Sequence, residues 1–168
     1  MTSGAPATGL SFWHPANLVA TGFGIGRLPR APGTWGSLAA LPLAWVIWSR
    51  FGSAGVVVAA LAVFAAGWWA ADVYIRATGA EDPPEIVVDE IAGQLLTLAL
   101  VPAEFLPYAA GLVLFRLADI FKPWPVSWAE ERLKGGLGVI ADDFLASLYS
   151  AMALFLFLIF LQKVVGVS

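Results

Sequence analysis

Cysteine is absent from this chain, and charged residues and histidine are scarce. Without cysteine there can be no disulfide, no thiolate nucleophile and no cysteine-bound metal. Charged residues make up 12% of the sequence, against roughly 25% in soluble proteins. The net charge of -3 suggests no nucleic-acid partner. So few polar residues could not cover a second, soluble domain, and residues 1–168 are therefore expected to form one domain.

Apolar residues are abundant instead. Hydrophobic types make up 60% of the sequence, above the soluble norm of roughly 45–50%, which predicts an integral membrane protein built as an all-α helical bundle. Residues 1–9 are small and polar and are expected to be disordered, and no cleavable signal peptide is expected because no lysine or arginine precedes the first apolar run. The only histidine, His14, precedes Pro15 and is expected to be an interfacial side chain.

Three apolar runs have the composition of membrane helices. Residues 54–71 and 144–162 are each long enough to span a bilayer. Residues 37–48 are fewer and include Pro42, so they are predicted to form either a tilted or a partly re-entrant helix, unless the preceding loop contributes a further turn. The polar residues 72–85 are predicted to form a water-exposed loop.

A further apolar region predicts a helical hairpin. Its two runs, residues 91–101 and 108–117, are separated by Pro102 and Pro107, which favour a turn between the helices. The two runs are therefore expected to be antiparallel neighbours.

This hairpin brings acidic residues together. Asp89 and Asp119 each lie about fifteen residues from the turn, so at about 1.5 Å per residue they return to the same depth. Glu90 follows Asp89 in the chain, and Asp142 and Asp143 directly precede the last apolar run. Five carboxylates are thus expected to converge on one face, together with the polar loops.

Grouped carboxylates next to lipid repel one another and need a positive partner. Oxygen ligands without cysteine or a second histidine suit Mg²⁺ or Mn²⁺ and suit zinc poorly. In the alternative interpretation, some of the acids only pair with Arg116, Lys122 and Lys134. Asp142 or Asp143 would also be a suitable N-cap of the final helix.

A glycine-rich segment, residues 21–37, precedes the first apolar run. Its alternating glycines can turn backbone N–H groups toward an anion, and Arg27 can give bidentate phosphate contacts. The same composition also fits a flexible interfacial loop whose arginines face lipid headgroups. From the residues alone both interpretations stay open.

The basic residues are distributed unequally. The face with the polar motifs carries seven and the other face two, which by the positive-inside rule places the motif face in the cytoplasm. The seven are Arg27, Arg30, Arg76, Arg116, Lys122, Arg132 and Lys134, and the two are Arg50 and Lys163. Glu130, Glu131 and Arg132 are expected to form solvated surface.

Metal-binding acids beside basic residues are typical of phosphoryl chemistry, and at a membrane the substrate would be a phospholipid. The alternative is a small membrane transporter or lipid-binding protein whose carboxylate cluster binds ions. Against transport, the acids lie at one interface rather than at the midplane, and no inverted repeat of the polar motifs is visible.

Four blocks of sequence resemble the phosphatidylglycerophosphatase A family. They occur in the family's order and cover about a third of the chain, although each alone would be a weak signal. The blocks are GFGIGRLPRAPGTWGS (residues 22–37), VVDEIAGQLL (87–96), FRLADIFKPWP (115–125) and KGGLGVIADD (134–143).

The resemblance implies a Mg²⁺-dependent, multi-pass phosphatase of the bacterial inner membrane. It would remove the terminal phosphate of phosphatidylglycerophosphate, giving phosphatidylglycerol and phosphate, at an active site that faces the cytoplasm. Other phosphatase classes fit less well. The chain has no Asp-x-Asp-x-Thr/Val string, and a single histidine cannot supply the paired histidines of other membrane lipid phosphatases.

The five acids and the basic residues then receive expected roles. Asp89, Asp119 and Asp142 are expected to hold Mg²⁺, with Glu90 and Asp143 as further ligands or orienting groups. One carboxylate could instead be the nucleophile and form an aspartyl-phosphate. The residues expected to act in catalysis are Asp89, Asp119, Lys122 and Asp142, and those expected to bind substrate are Arg27, Gly33, Thr34, Arg116 and Lys134.

Overall fold

The computed structural model describes residues 9–80 and 83–166, and every regular element in them is a helix. The predicted disorder of residues 1–9 falls, except at Gly9, outside the described residues. Two of the helices, α2 and α6, are long and apolar enough to cross a membrane. The helices are α1 (Pro15–Ala20), α2 (Pro32–Thr78), α3 (Val88–Leu98), α4 (Phe105–Phe121), α5 (Val126–Arg132) and α6 (Gly135–Val165), with a short 3-10 helix at Ile25–Arg27.

Helix α2 is two arms joined at Gly52. This residue has φ 63° and ψ -164°, a backbone conformation that is essentially restricted to glycine. The arms run antiparallel, because a Cβ on Gly36 would lie 3.1 Å from Val87, whereas one on Gly67 would lie 3.0 Å from its neighbour Val88. At about 1.5 Å per residue the first arm is about 30 Å long, the thickness of a hydrocarbon core. The residues before Ser37 thus contribute a helical turn, which is the alternative that the sequence left open for residues 37–48.

Helices α3 and α4 form the second antiparallel pair. A Cβ on Gly93 would lie 2.6 Å from the Phe115 ring, and one on Gly111 would lie 2.6 Å from Leu98. Two antiparallel helices joined by a turn near residue 104 are expected to make these contacts. The predicted reversal between the two proline-flanked runs is present.

Helix α3 lies among α2, α4 and α6, all of which contact it. Its residues Ala92, Leu95 and Leu98 are fully buried. Because α3 begins at Val88, its first turn carries Asp89 and Glu90 at one end of this enclosed helix.

Two predicted boundaries were wrong. Residues 72–78 continue α2 rather than forming a loop, and Asp72 uses its carboxylate to accept a hydrogen bond from the backbone N–H of Gly136, over 3.3 Å. Helix α6 begins at Gly135, so Asp142 and Asp143 lie inside it and cap nothing. Small residues allow this early start: a Cβ on Gly136 would lie 2.6 Å from the backbone nitrogen of Asp72.

Candidate active site

All five predicted carboxylates line one pocket of about 750 Å³. Its lining comes from both ends of α2, the segment before α3, the first turn of α3, the end of α4, helix α5 and the first turns of α6. The other charged residues of the lining are Arg116, Lys122, Glu130 and Lys134, and the carboxylates are those of Asp89, Glu90, Asp119, Asp142 and Asp143.

Three of these carboxylates form a tight group. Asp89, Glu90 and Asp143 can each offer an oxygen so that the three oxygens lie within 4.8 Å of one another. Asp89 is 7% exposed and Asp143 is 3% exposed. The Oε2 atom of Glu90 and the Oδ2 atom of Asp143 are buried without a hydrogen-bond partner among the described residues.

Buried carboxylate oxygens without a partner carry a large desolvation cost. A divalent cation would satisfy these oxygens, and an all-oxygen donor set suits a hard cation. The group therefore fits a metal ion.

The other two carboxylates face cations of the protein. Asp119 Oδ2 lies 2.7 Å from Nη1 of Arg116, and the same Nη1 lies 3.6 Å from Oε1 of Glu90. The 3.6 Å separation is too long for a hydrogen bond, and Nη1 and Nε of Arg116 are buried without a hydrogen-bond partner among the described residues. The guanidinium therefore acts on the two carboxylates mainly through its charge.

Lys122 connects the end of α4 to α5 and α6. Its Nζ donates hydrogen bonds to Asp142 Oδ2 over 2.8 Å and to Glu130 Oε1 over 2.6 Å. Burial lowers the pKa of this ammonium, but the two carboxylates outweigh burial, and the net pKa lies above its ordinary value. Lys122 is therefore a permanent cation in the pocket.

Glu130 is exposed, as expected of solvated surface, but it also lines the pocket and pairs with Lys122, which was not predicted from the sequence. The signal available in the sequence was the PWP stretch at residues 123–125, because a proline-rich turn followed by one short helix brings the chain back toward Lys122.

Gly33 lies where α2 meets the carboxylates. A Cβ there would lie 1.9 Å from Glu90 Oε1 and 3.1 Å from Arg116 Nη1. Gly33 and Lys134 both line the pocket, whereas Thr34, in the first turn of α2, is not part of the lining.

Arg27 is separate from the carboxylate pocket. It lines a neighbouring pocket of about 460 Å³. His14, the other polar residue singled out near the N-terminus, is the N-cap of α1, with Nδ1 accepting a hydrogen bond from the N–H of Ala16 over 3.2 Å.

Comparisons with known proteins agree on one family. The family model for phosphatidylglycerophosphatase A matches residues 18–158. A Haemophilus influenzae protein named phosphatidylglycerophosphatase A is 35% identical over 156 residues, which cover 92% of this chain and 96% of that protein. The Escherichia coli protein of the same name is 35% identical over 154 residues, covering 87% of this chain and 85% of the relative.

A third relative carries a different name. This Bacteroides thetaiotaomicron protein, whose name proposes it as a phosphatidylinositol-3-phosphatase, is 41% identical over 146 residues, which cover 79% of this chain and 87% of the relative. No solved structure matches the chain.

Proposed function

This chain belongs to the phosphatidylglycerophosphatase A family, and from this premise we propose that its carboxylate pocket is the active site of a magnesium-dependent lipid phosphatase. The family assignment confirms the resemblance of the four sequence blocks and makes the chain a phosphatase of lipid metabolism. The reaction is hydrolysis of the terminal phosphomonoester of phosphatidylglycerophosphate to phosphatidylglycerol and phosphate. The observation that carries the proposal is the convergence of five carboxylates and three basic side chains on one pocket.

Mg²⁺ is proposed to be held by Asp89, Glu90 and Asp143. Their oxygens are close enough to share one ion, and two of them are buried without another partner among the described residues. Asp119 and Asp142 stay predicted ligands, yet their contacts in the structure favour a role in fixing Arg116 and Lys122. When bound, Mg²⁺ supplies polarisation of phosphate oxygens and a lower pKa for bound water.

The basic side chains are proposed to bind the terminal phosphate. Lys122 has three N–H donors and uses two on carboxylates, so one is left for a phosphate oxygen. The guanidinium of Arg116 is partly exposed to the pocket, and Lys134 lies on the rim of the same pocket at the start of α6. Donors fixed in this way stabilise the charge that moves to the leaving glycerol oxygen.

The nucleophile is proposed to be water, with an aspartyl-phosphate as the competing route. The stereochemistry at the transferred phosphorus separates the two routes, with a terminal thiophosphate made chiral by ¹⁸O and hydrolysed in ¹⁷O-labelled water. Inversion at phosphorus supports direct attack by water, whereas retention requires a covalent intermediate such as an aspartyl-phosphate.

The protein is proposed to be a multi-pass bundle of the bacterial inner membrane with its pocket facing the cytoplasm. Opposite the pocket, Trp45 of α2 and Tyr108 of α4 are in edge-to-face contact with ring centroids 5.4 Å apart. This contact supports the proposal that both helical pairs reverse direction on the same side of the bundle, away from the pocket. The unequal distribution of basic residues supports the orientation.

Phosphate release by the full-length protein in detergent tests the function. Phosphatidylglycerophosphate is compared with phosphatidic acid and, because of the name of one relative, with phosphatidylinositol 3-phosphate. Each substrate is assayed with Mg²⁺, without added metal and with EDTA. Preferred, Mg²⁺-dependent release from phosphatidylglycerophosphate is expected. No release from a folded, monodisperse sample with any divalent metal would favour an ion transporter or a lipid-binding protein.

A further inference from the structure

The Arg27 pocket, the cavity of about 460 Å³ beside the carboxylate pocket, has a chemistry of its own. Among the described residues, its polar lining is formed by Arg27, Tyr74 and Glu85, and its apolar edge includes Leu28. Pro32 and Pro84 line both cavities, so the two share a wall. One ligand of moderate length could reach into both.

The guanidinium of Arg27 is held in place although the residue is exposed. Its Nη2 donates to Oδ1 of Asn17 over 3.1 Å, and its central carbon lies 5.0 Å from the centroid of the Phe12 ring. Asn17 is fully buried and its own amide donates to the backbone oxygen of Phe12 over 2.8 Å. Holding a long side chain costs conformational entropy, and here the result is an arginine whose position is fixed at an open pocket.

The charge of this arginine is not balanced by an ion pair within the described residues. Glu85 lines the same pocket without coming within 4 Å of the guanidinium. Arg27 therefore keeps N–H donors and a positive charge for an anion, while Glu85 offers acceptor oxygens to a hydroxyl group.

The pocket walls depend on a close backbone contact. A Cβ on Gly26 would lie 1.9 Å from the backbone oxygen of Glu85, so any side chain there would push the two segments apart. A backbone hydrogen bond from Val87 to Ala20, 2.9 Å long, joins the same two segments. The pocket is thus a built feature of the fold.

The lipid of the proposed function carries two phosphates of different kinds, a terminal monoester and a diester, separated by one glycerol. We propose that the Arg27 pocket binds the phosphodiester and the glycerol of this headgroup while the carboxylate pocket holds the terminal phosphate. This assignment rests on the proposed function and divides the predicted substrate residues between two subsites. A diester carries one negative charge, which one arginine can match, and the hydroxyl of the headgroup glycerol can donate to Glu85.

The expected consequence is that the protein prefers lipids that carry a phosphodiester in addition to the terminal phosphate. A lipid with only a terminal monoester, such as phosphatidic acid, fills the carboxylate pocket and leaves Arg27 without a ligand. Phosphatidylglycerophosphate gains the Arg27 contact, which improves its binding without changing the bond that breaks.

Arg27→Gln in the full-length protein tests the proposal, with Arg30→Gln as the matched control, because Arg30 is exposed and lines neither pocket. Rates with phosphatidylglycerophosphate and phosphatidic acid are measured in the same detergent. Inhibition by phosphatidylglycerol, which keeps the diester and lacks the monoester, is measured as a second readout.

Arg27→Gln should lower kcat/KM for phosphatidylglycerophosphate about tenfold or more, mainly through KM, as expected for a hydrogen bond to a charged group. Its rate with phosphatidic acid should not change, and the inhibition constant for phosphatidylglycerol should rise by a similar factor. Arg30→Gln should match the wild type in all three.

Equal losses on both lipids, or no loss on phosphatidylglycerophosphate, would overturn the diester subsite. If the wild type does not hydrolyse phosphatidic acid, the inhibition constants decide: an unchanged value for phosphatidylglycerol in Arg27→Gln rejects the proposal. Failure of the wild type to hydrolyse any lipid rejects the proposed function itself, which is a different result.

Discussion

Lys122 and Glu130 meet across the turn between α4 and α5, with the lysine Nζ 2.6 Å from Oε1 of the glutamate. The same Nζ lies 2.8 Å from Oδ2 of Asp142. Two carboxylates therefore set the direction of the remaining N–H. Glu130 is the more exposed of the two acids, with 49% of its side chain accessible against 12% for Asp142. Glu130 is therefore the outer partner of Lys122 and the one that can change its position more easily.

Glu130→Gln is expected to lower kcat/KM about two- to fivefold, because a half-exposed ion pair contributes only about 0.2–1 kcal/mol. The control is Glu131→Gln, which changes an exposed neighbour that does not line the carboxylate pocket. Steady-state rates with phosphatidylglycerophosphate measure both. Equal rates for the two variants would show that Glu130 does not position Lys122.

Asp119→Asn is expected to reduce turnover by at least about 100-fold while the protein stays folded. The substitution keeps the shape of the side chain but removes the charge that faces Arg116 at 2.7 Å, and a misdirected phosphate contact typically costs a factor of this order. Glu104→Gln, an exposed acid at the start of α4, is the control. Phosphate release and elution from a sizing column in detergent are compared. An inactive Asp119→Asn protein that also aggregates would indicate structural pairing instead.

Gly33→Ala is expected to abolish most Mg²⁺-dependent activity. The new methyl group would lie 1.9 Å from Oε1 of Glu90, so this carboxylate or the start of α2 must move. Gly9→Ala is the matched control, since no atom lies within 4 Å of a Cβ there. The Mg²⁺ concentration that gives half-maximal rate should rise for Gly33→Ala only. A normal Mg²⁺ dependence would contradict the role given to this contact.

Gly93→Ala is expected to destabilise the α3–α4 pair by about 1–3 kcal/mol, the usual cost of overpacking a filled core. Its methyl group would lie 2.6 Å from the Phe115 ring, which is fully buried. The smaller side chain in Phe115→Leu should restore part of the loss in the double variant. Thermal midpoints in detergent measure the three variants. Simple additivity of the two substitutions would show that they do not share the contact.

Mg²⁺ is expected to raise the thermal midpoint of the protein in the absence of substrate. Binding to the folded state alone stabilises by about 2.7 kcal/mol at a concentration 100 times the dissociation constant. Asp143→Asn should reduce this shift, because Asp143 supplies one of the three clustered oxygens, whereas Glu104→Gln should retain it. An equal shift in both variants would place the ion elsewhere.

The sequence predicted the part of the site that depends on the α3–α4 turn. Pro102 and Pro107 fix the place of the reversal, and helical rise then aligns Asp89 with Asp119. The local pattern also placed Asp142 and Asp143 on the same face. All four of these aspartates line the pocket in the structure.

The remaining features depend on tertiary packing that a local pattern does not contain. Gly135 and Gly136 are the first residues of α6 because they allow a close approach to Asp72 from a distant part of the chain. Likewise, Lys122 and Glu130 are eight residues apart and meet only because the chain reverses between two helices. Helix propensity and polarity do not report such contacts.

The sharp reversal at Gly52 also bears on how the protein enters the membrane. In the proposed orientation, the far ends of the two helical pairs present only short connections, whose charged residues are Arg50 and Glu104. Moving charged side chains and unpaired backbone groups through hydrocarbon is costly. Because these connections contain so few charged residues, each helical pair can insert as a unit at little cost. In the same orientation, the charge-rich segments of the candidate active site never have to leave the side of the membrane on which the ribosome makes them.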